Sequence, residues 1–420
     1  MDSNDISKFY KNPKPNLNYW TNSPVYVNVN VNIENSTNNY KPIQVIPNDE
    51  LLNKVENIIS THPYKLDYKL NDVNLDSNKI CRFINKYYFD ETDPIYKFVY
   101  TKDTIDYYIE NSLVLSFYSK QTEKTKSKMI GLIIGKKSNL LIKSNPIESI
   151  EVNFLILNPK VRNKNLASSM ISILTKESII NYSIGVAHYT INNPIRAPHY
   201  CLKYYYHRMI NIPELYESKF ILFDNTMGSK TETKTNYINK YNNFKDYLPN
   251  QTIIYFGKKN NSIGKISDKL IEQIYTSTNT YAKNNYLIHE YKTREQIKQL
   301  FNSESFHNFI LVDPNDTNET NIKNFICINE IKTINSENNK FYLNGYIYTG
   351  FYSDPVCTVI EKISQYIYLN KILDVITWLD FFDVENSCTN AVQGSGFLKY
   401  YLYNLEIPFI PNYSNGLVTL

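Results

Sequence analysis

Residues 151–167 read EVNFLILNPKVRNKNLA, and the reading of this stretch decides the fold. Val152 to Leu157 is a strand-like apolar run that ends at Pro159 and a basic turn. Leu166, Met170, Ile173 and Leu174 then fall at i, i+4, i+7 and i+8, the spacing of one buried helix face. A strand that turns into a helix aims several unpaired backbone N–H groups at one point, and the helix dipole adds to them. Such a turn can hold a phosphate or pyrophosphate without particular side chains. On geometry alone an ordinary strand–turn–helix unit is the commoner outcome, and both readings stay open at this point.

The chain's 420 residues are enough for two or three domains or one large composite. A net charge of +4 set against 45 basic and 41 acidic residues carries no nucleic-acid-scale footprint. Tyr is abundant and Gly scarce, which lowers the weight of any short motif made of the common residues. Cys81, Cys201, Cys327, Cys357 and Cys388 are odd in number, widely spaced and without a C-x-x-C, so reduced thiols in a cytoplasmic setting are expected. The N-terminus lacks an apolar h-region, and no apolar run approaches the ~20 residues of a membrane span.

Residues 1–45 are Asn- and Pro-rich and read as an extended arm. From 46 to 220 helix-like and strand-like segments alternate, among them Glu50 to Ser60, Asn78 to Tyr88, Ser112 to Tyr118 and Met129 to Gly135. Residues 225–250 are polar and nearly free of aliphatics, and are expected to be a mobile loop or a connection between halves. Lys265 to Tyr275, Thr293 to Phe301 and Val356 to Leu369 then read as helices, with strand candidates at Phe309 to Val312, Phe325 to Ile331 and Phe341 to Phe351.

Residue identities narrow the opening stretch. Glu151, Asn153, Phe154, Leu155, Arg162, Lys164, Leu166 and Ala167 match the EINFLC…LRSKRLAP run of protein N-myristoyltransferases, a family with an acetyltransferase-like fold. The chain resembles that family elsewhere too. NYWTNSPV resembles its FWxTQPV element, YYFDETDPIYKF its NYVEDDDxxFRF segment, and KYYYHRMIN its CRYWHRSLN piece. GSGFLKYYLYNLEIP is similar to GDGNLQYYLYNWKCP, and the chain ends GLVTL at nearly the family's spacing.

The resemblance implies an α+β fold: two fused acetyltransferase-like (GNAT) halves around a saddle-shaped mixed β-sheet. Residues 1–45 would be an arm contacting acyl-CoA, 46–220 the half that binds myristoyl-CoA, and 221–420 the half that binds peptide. It implies an acyltransferase that moves a myristoyl group from myristoyl-CoA to the α-amine of an N-terminal glycine. Myristoyl-CoA is then a substrate, with no cofactor and no metal. The partners would be proteins or peptides with N-terminal glycine, the chain a monomer, and the setting cytoplasmic (host cytoplasm if viral).

The site residues follow the matched motifs. The acyl-CoA would be held by Asn18, Tyr19 and Trp20, by Phe154, Leu155, Ile156 and Leu157, and by the turn Arg162, Asn163, Lys164, Asn165, Leu166 and Ala167. The peptide would lie against Tyr88, Asp90, Glu91, Asp93, Tyr96 and Phe98, then Tyr205, His207 and Tyr348, and finally Gly394, Ser395, Gly396 and Leu398. An α-amine with a pKa of about 7.7–8.0 is mostly protonated at neutral pH and needs a base. The family implies the C-terminal carboxylate for this, here that of Leu420. Asn153 and Thr190 would position the proton, and the N–H groups of Phe154 and Leu155 would form the oxyanion hole. His207 is given no role as base.

Within these motifs the chain departs from the family at several positions, among them Thr92 for an acidic residue and Ser168 where Pro is common. Ile191-Asn192 replaces the family's Ala-Gly, Ser395 its Asp, and Asn165 a second Arg. Ile156, Asn158 and Pro159 replace Cys, His and Lys. These motivate two alternatives, a non-catalytic binder of acyl-CoA or glycine-ended peptide and an acyltransferase of different chain-length or amine specificity.

Overall fold

The computed structural model describes residues 23–28, 41–89, 95–119, 127–162, 164–192, 195, 197–222, 230–242, 244, 248–315, 321–380, 388 and 390–418. The first half runs β1 (Tyr26–Asn28), β2 (Ile43–Gln44), α1 (Asn48–Thr61), β3 (Asp67–Leu70), α2 (Ser77–Tyr87), β4 (Tyr96–Val99) and α3 (Lys102–Ile109). It continues through β5 (Ser112–Tyr118), β6 (Met129–Ile142), β7 (Asn145–Leu157), α4 (Leu166–Tyr182), β8 (Ala187–Ile191), β9 (Cys201–Met209) and α5 (Ile212–Glu217). The second half begins with α6 (Lys230–Tyr241), β10 (Thr252–Phe256), α7 (Asp268–Asn285), β11 (Ile288–Glu290), α8 (Arg294–Asn302) and β12 (Phe306–Val312). It closes with β13 (Ile322–Asn335), β14 (Phe341–Tyr352), α9 (Val356–Asn370), β15 (Val375–Leu379), β16 (Val392–Tyr403) and β17 (Leu405–Pro408).

Local chemistry explains several boundaries. Asp76, Thr101, Ser267 and Thr293 each accept a backbone N–H at the start of α2, α3, α7 and α8, and Thr293 with Gln296 forms a full capping box. In α4 the apolar face read from spacing is the buried one: Leu166, Met170, Ile173 and Leu174 are all buried, the last three against β5 and β6.

Among the described residues fourteen strands form one mixed sheet, whose main path runs β10-β12-β13-β14-β15-β9-β16-β8-β7-β6-β5-β3. The architecture is therefore α+β. The unit β5-β6-β7-α4-β8 recurs in the same order as β12-β13-β14-α9-β15. The halves also exchange strands: β4 of the first pairs with β13, and β11 of the second pairs with β6. At the centre β9 pairs with β15 and β16 with β8, so each half contributes an inner strand to the other.

Two expectations are corrected. The segment 225–250 is not wholly a loop, because α6 forms within it. Tyr241 and half-buried Ile238 anchor that helix to Ile212 and Leu215 of α5, and Arg208 donates to the Tyr241 carbonyl at 2.7 Å. Second, the cysteines are not all free thiols. Cys357 and Cys388 form a disulfide, with Cα atoms 5.2 Å apart and a sequence separation of 31. The sheet brings the start of α9 beside the entry to β16, a proximity no sequence spacing encodes.

Candidate active site

The opening stretch contains the principal irregularity of the first half. Leu132 pairs with Ile156 and Ile134 with Asn153, so the single residue Ile133 faces both Phe154 and Leu155. Such a two-against-one bulge takes the extra residue out of the ladder and bends the strand. Phe154 takes φ +53°, a left-handed value that non-glycine residues adopt rarely and that here re-aims the backbone.

Next to the bulge the sheet opens. β7 and β8 are parallel neighbours only at Ile150–Ala187 and Glu151–His188, and β8 then follows β16, where Tyr400 faces Thr190. The backbone of residues 152–157 thus borders a wedge whose other wall carries Thr190 and Ile191. Asn153 and Thr190 each lie two residues beyond the last paired position, on the same face of their strands. Beneath them Glu151 is buried opposite Lys136. Burial pushes the Glu151 carboxyl up, and Glu290 adds to the rise. Burial pulls the Lys136 ammonium down to about 8, against the attraction of Glu151 and Glu290.

An aromatic groove leads away from the bulge. The Phe154 ring meets the edges of Tyr88, Tyr100 and Tyr108 at centroid distances of 5.5, 5.0 and 5.2 Å. Farther along, Tyr346 contacts Phe98 at 6.2 Å and Tyr205 at 6.3 Å, and His207 meets Phe220 at 5.3 Å. Tyr96 fixes one wall by donating to the Lys219 carbonyl at 2.7 Å. Gly394, Ser395 and Gly396 bulge out of the β16–β9 ladder opposite Tyr205. A Cβ on Gly394 would sit 2.5 Å from His207 Nε2, so only glycine permits this approach. His207 Nδ1 lies 2.9 Å from Thr377 Oγ1, and burial holds the imidazole down to about 4. It is a neutral part of the groove. Leu398 is half-buried beside the same strand, and Tyr348 lies deeper, buried in the seam between the halves.

The turn after β7 carries Lys160, Arg162 and Lys164 into the N-terminus of α4. Arg162 donates to the Leu157 carbonyl at 3.1 Å and the Tyr87 carbonyl at 3.0 Å, so it shapes the turn, and Lys164 lies over the Tyr64 ring at 5.6 Å. Asn165 caps α4 at φ +53° without a side-chain hydrogen bond, and the first turn has no acidic residue. The repeated unit differs at this point. Before α9 stands Asp354, whose carboxylate accepts from Gln251 and Asn324 at 2.7 Å each. A carboxylate at a helix N-terminus occupies the place an anion would take. Of the two repeated helix starts, only the one before α9 is preceded by a carboxylate.

The chain's last described residues run into the same region. Gly416 donates to Ile288 at 2.7 Å, and Tyr400 donates to the Leu417 carbonyl at 2.9 Å. Val418 lines a cavity of about 50 Å³ with Lys292, Glu290 and Tyr348. Leu420 lies outside the described residues, as do Asn18, Tyr19, Trp20, Asp90, Glu91, Asp93 and Asn163. Among the described residues no cluster of three or more His, Cys, Asp or Glu could hold a metal, and no helix is long and apolar enough to cross a membrane.

Four groove residues were missed from sequence: Tyr100, Tyr108, Tyr346 and Thr377. Tyr100 was legible, since Tyr96, Phe98 and Tyr100 alternate along one strand and its end. The other three carry no local signal.

Residues 46–200 match the family described as "Myristoyl-CoA:protein N-myristoyltransferase, N-terminal domain". The chain is 22% identical to the glycylpeptide N-tetradecanoyltransferase of Kluyveromyces lactis, over 95% of its own length and 89% of that protein. It is 22% identical to the Dictyostelium discoideum enzyme of the same name, over 90% and 89% of the two chains. In structure it is similar to Saccharomyces cerevisiae N-myristoyltransferase, with a TM-score of 0.71 and 16% identity over 96% and 99% of the two chains.

Proposed function

The chain belongs to the protein N-myristoyltransferase family and is an acyltransferase, and from this premise we propose the course of its reaction. The myristoyl group passes from the sulfur of myristoyl-CoA to the α-amine of a glycine at the N-terminus of a protein or peptide. The observation that carries this reading is the bulge at Phe154–Leu155 on the open wedge between β7 and β8.

The CoA phosphates lie at the N-terminus of α4, and the thioester oxygen faces the Phe154 and Leu155 N–H groups. The peptide enters along the groove from Phe98 and Tyr346 past Tyr205 and His207. Tyr348, placed deeper, acts from the seam behind it. The glycine amine, positioned by Asn153 and Thr190, gives a proton to the Leu420 carboxylate and attacks the thioester carbon. The carbonyl oxygen gains charge in the tetrahedral intermediate, where the two N–H groups bind it more strongly than in the ground state. The C–S bond then breaks, the extra proton on nitrogen passes to the leaving sulfur, CoA departs as the thiol, and the amide remains. In this scheme residues 46–220 supply the acyl-CoA site and one wall of the peptide groove, 221–420 the other wall through Tyr346 and Gly394 to Leu398, and 1–45 a cover for the acyl donor.

The α-carboxylate is a weak base in water, with a pKa of about 3.3–3.7. A desolvated site raises it and disfavours the ammonium, which narrows the gap. The test is a transfer assay with myristoyl-CoA and peptides of the GxxxS type, read by mass, on the chain as it is and with one glycine appended after Leu420. Transfer by the first and loss in the second, with acyl-CoA binding retained, is expected. No product from folded protein with several peptides would overturn the transferase reading. Ile191, paired with Lys399 where relatives have Ala-Gly, favours a second reading, acyl-CoA binding without turnover, which that same result would support.

A further inference from the structure

Lys203 is fully buried, an uncommon place for an ammonium, and stands where the family's CRYWHRSLN run has Cys. A buried charge is costly unless hydrogen bonds use it. The Lys203 Nζ donates to the carbonyl of Asn415, itself fully buried, and lies 5.7 Å from the Tyr400 ring. Burial draws the ammonium down to about 8, with Cys201 and Asp380 opposing the fall. Asp380 in turn accepts from the Tyr204 N–H at 2.9 Å and from Asn412 at 2.5 Å.

These contacts converge on residues 412–417. Tyr400 holds the Leu417 carbonyl, the Asn415 side chain accepts the Leu417 N–H at 3.0 Å, and Ser414 accepts the Leu287 N–H at 2.8 Å. Gly416 is pressed on Tyr286, where a Cβ would sit 2.3 Å from the ring. Three residues span at most about 10 Å, so a fixed Leu417 sets the range open to Leu420. Tyr400 also faces Thr190 across the β16–β8 ladder. One residue therefore links the tail, through its hydroxyl, to the strand that borders the wedge, through its backbone pairing.

We propose that Lys203 and Tyr400 are positioning residues that fix the C-terminal tail so that its carboxylate meets the glycine amine. The proposal rests on the reading of Leu420 as proton acceptor. Lys203 supplies a charged anchor at Asn415, beside that of Asp380 on Asn412, and Tyr400 places the end of the tail relative to Thr190.

The test compares full-length Lys203→Met and Tyr400→Phe with the wild type, each with and without a glycine appended after Leu420. In the native-ended chain each substitution is expected to lower kcat about 10–100-fold, the scale of a small misplacement of a reacting group. Myristoyl-CoA affinity by calorimetry should stay within about twofold, which separates a loss in the chemical step from a loss in binding. In the extended chain neither substitution should lower the residual rate further, because the tail through which they act is already displaced. Equal losses in both backgrounds, or an unchanged kcat, would overturn the positioning role. Full turnover by the extended wild type would instead overturn the base assignment itself. Should Lys203→Met fail to fold, Tyr400→Phe, which removes one oxygen, decides between the same outcomes.

Discussion

The hydroxyls of Tyr107 and Tyr348 meet at 2.7 Å, bonding a helix of the first half to the bulged strand of the second. Tyr348 is the extra residue of its own bulge, since Cys327 pairs with Thr349 and Ile328 with Ile347. The second half thus repeats the irregularity at Phe154–Leu155 but fills it with a side chain. The Lys292 ammonium reaches the Tyr348 hydroxyl at 3.2 Å and pairs with Glu290, while Lys136 donates to the Tyr107 carbonyl at 2.9 Å.

Removing the Tyr107 hydroxyl takes from Tyr348 its tyrosine partner and leaves it the longer bond from Lys292. Tyr107→Phe is expected to cost about 1–3 kcal/mol in urea unfolding. The double variant with Tyr348→Phe should cost less than the sum of the singles, because no orphaned tyrosine partner remains. Additive losses would show that the two hydroxyls are not coupled.

Stability should fall with acid in a defined window. Burial holds His188, His199, His207 and His289 each down to about 4, against about 6.5 in an unfolded chain. Above that unfolded value both states are neutral, and the histidines contribute no pH dependence. As pH drops below about 6.5 the unfolded chain takes up protons that the folded chain refuses, so the folded state loses ground until pH about 4. Unfolding free energies measured from pH 8 to pH 4 should fall slightly to pH 7, as the buried Lys136 and Lys203 take up protons in the folded chain, stay level to about 6.5 and then decline. A rise on acidification would contradict the burial of these rings. For the same reason His207→Gln should leave the shape of the pH–rate profile from pH 6 to 8 unchanged.

Sequence patterning revealed the strand, the basic turn and the buried face of α4, because burial of a stripe follows directly from residue spacing. The bulge was not legible in the same way. It is a property of how β7 registers against β6, and nothing in Asn153-Phe154-Leu155 announces a left-handed Phe. Helix α6 was missed because two residues, Ile238 and Tyr241, anchor an otherwise polar segment. The Cys357–Cys388 bond and the Lys203–Asn415 contact join residues 31 and 212 positions apart, distances at which only tertiary packing decides proximity.

The positive φ of Phe154 makes the bulge testable. A β-branched residue is a genuine outlier in the left-handed region, so Phe154→Ile should restore a regular strand or strain the bulge. On the proposed reading, either outcome moves the two N–H groups away from the thioester oxygen. Loss of such donors typically costs about 10²–10³ in kcat. Single-turnover rates at saturating myristoyl-CoA measure this directly. A rate within about threefold of wild type would remove the bulge from the chemistry.

Asn165 offers a test in which stability and binding move in opposite directions. It caps α4 in the left-handed region, which Asp also tolerates, so Asn165→Asp preserves the backbone. A carboxylate at the N-terminus of a helix stabilises the fold by about 0.3–1 kcal/mol through the dipole. On the proposed placement the same charge repels the CoA phosphates, as Asp354 would before α9. Thermal stability should therefore rise slightly while the Kd for myristoyl-CoA weakens about tenfold, equivalent to about 1.4 kcal/mol. Asn165→Arg, the residue relatives carry there, should tighten CoA binding, less the cost of about 1–2 kcal/mol for holding Arg at a positive φ. Calorimetry on the three proteins decides the matter, and unchanged affinity in the Asp variant would move the phosphates away from the start of α4.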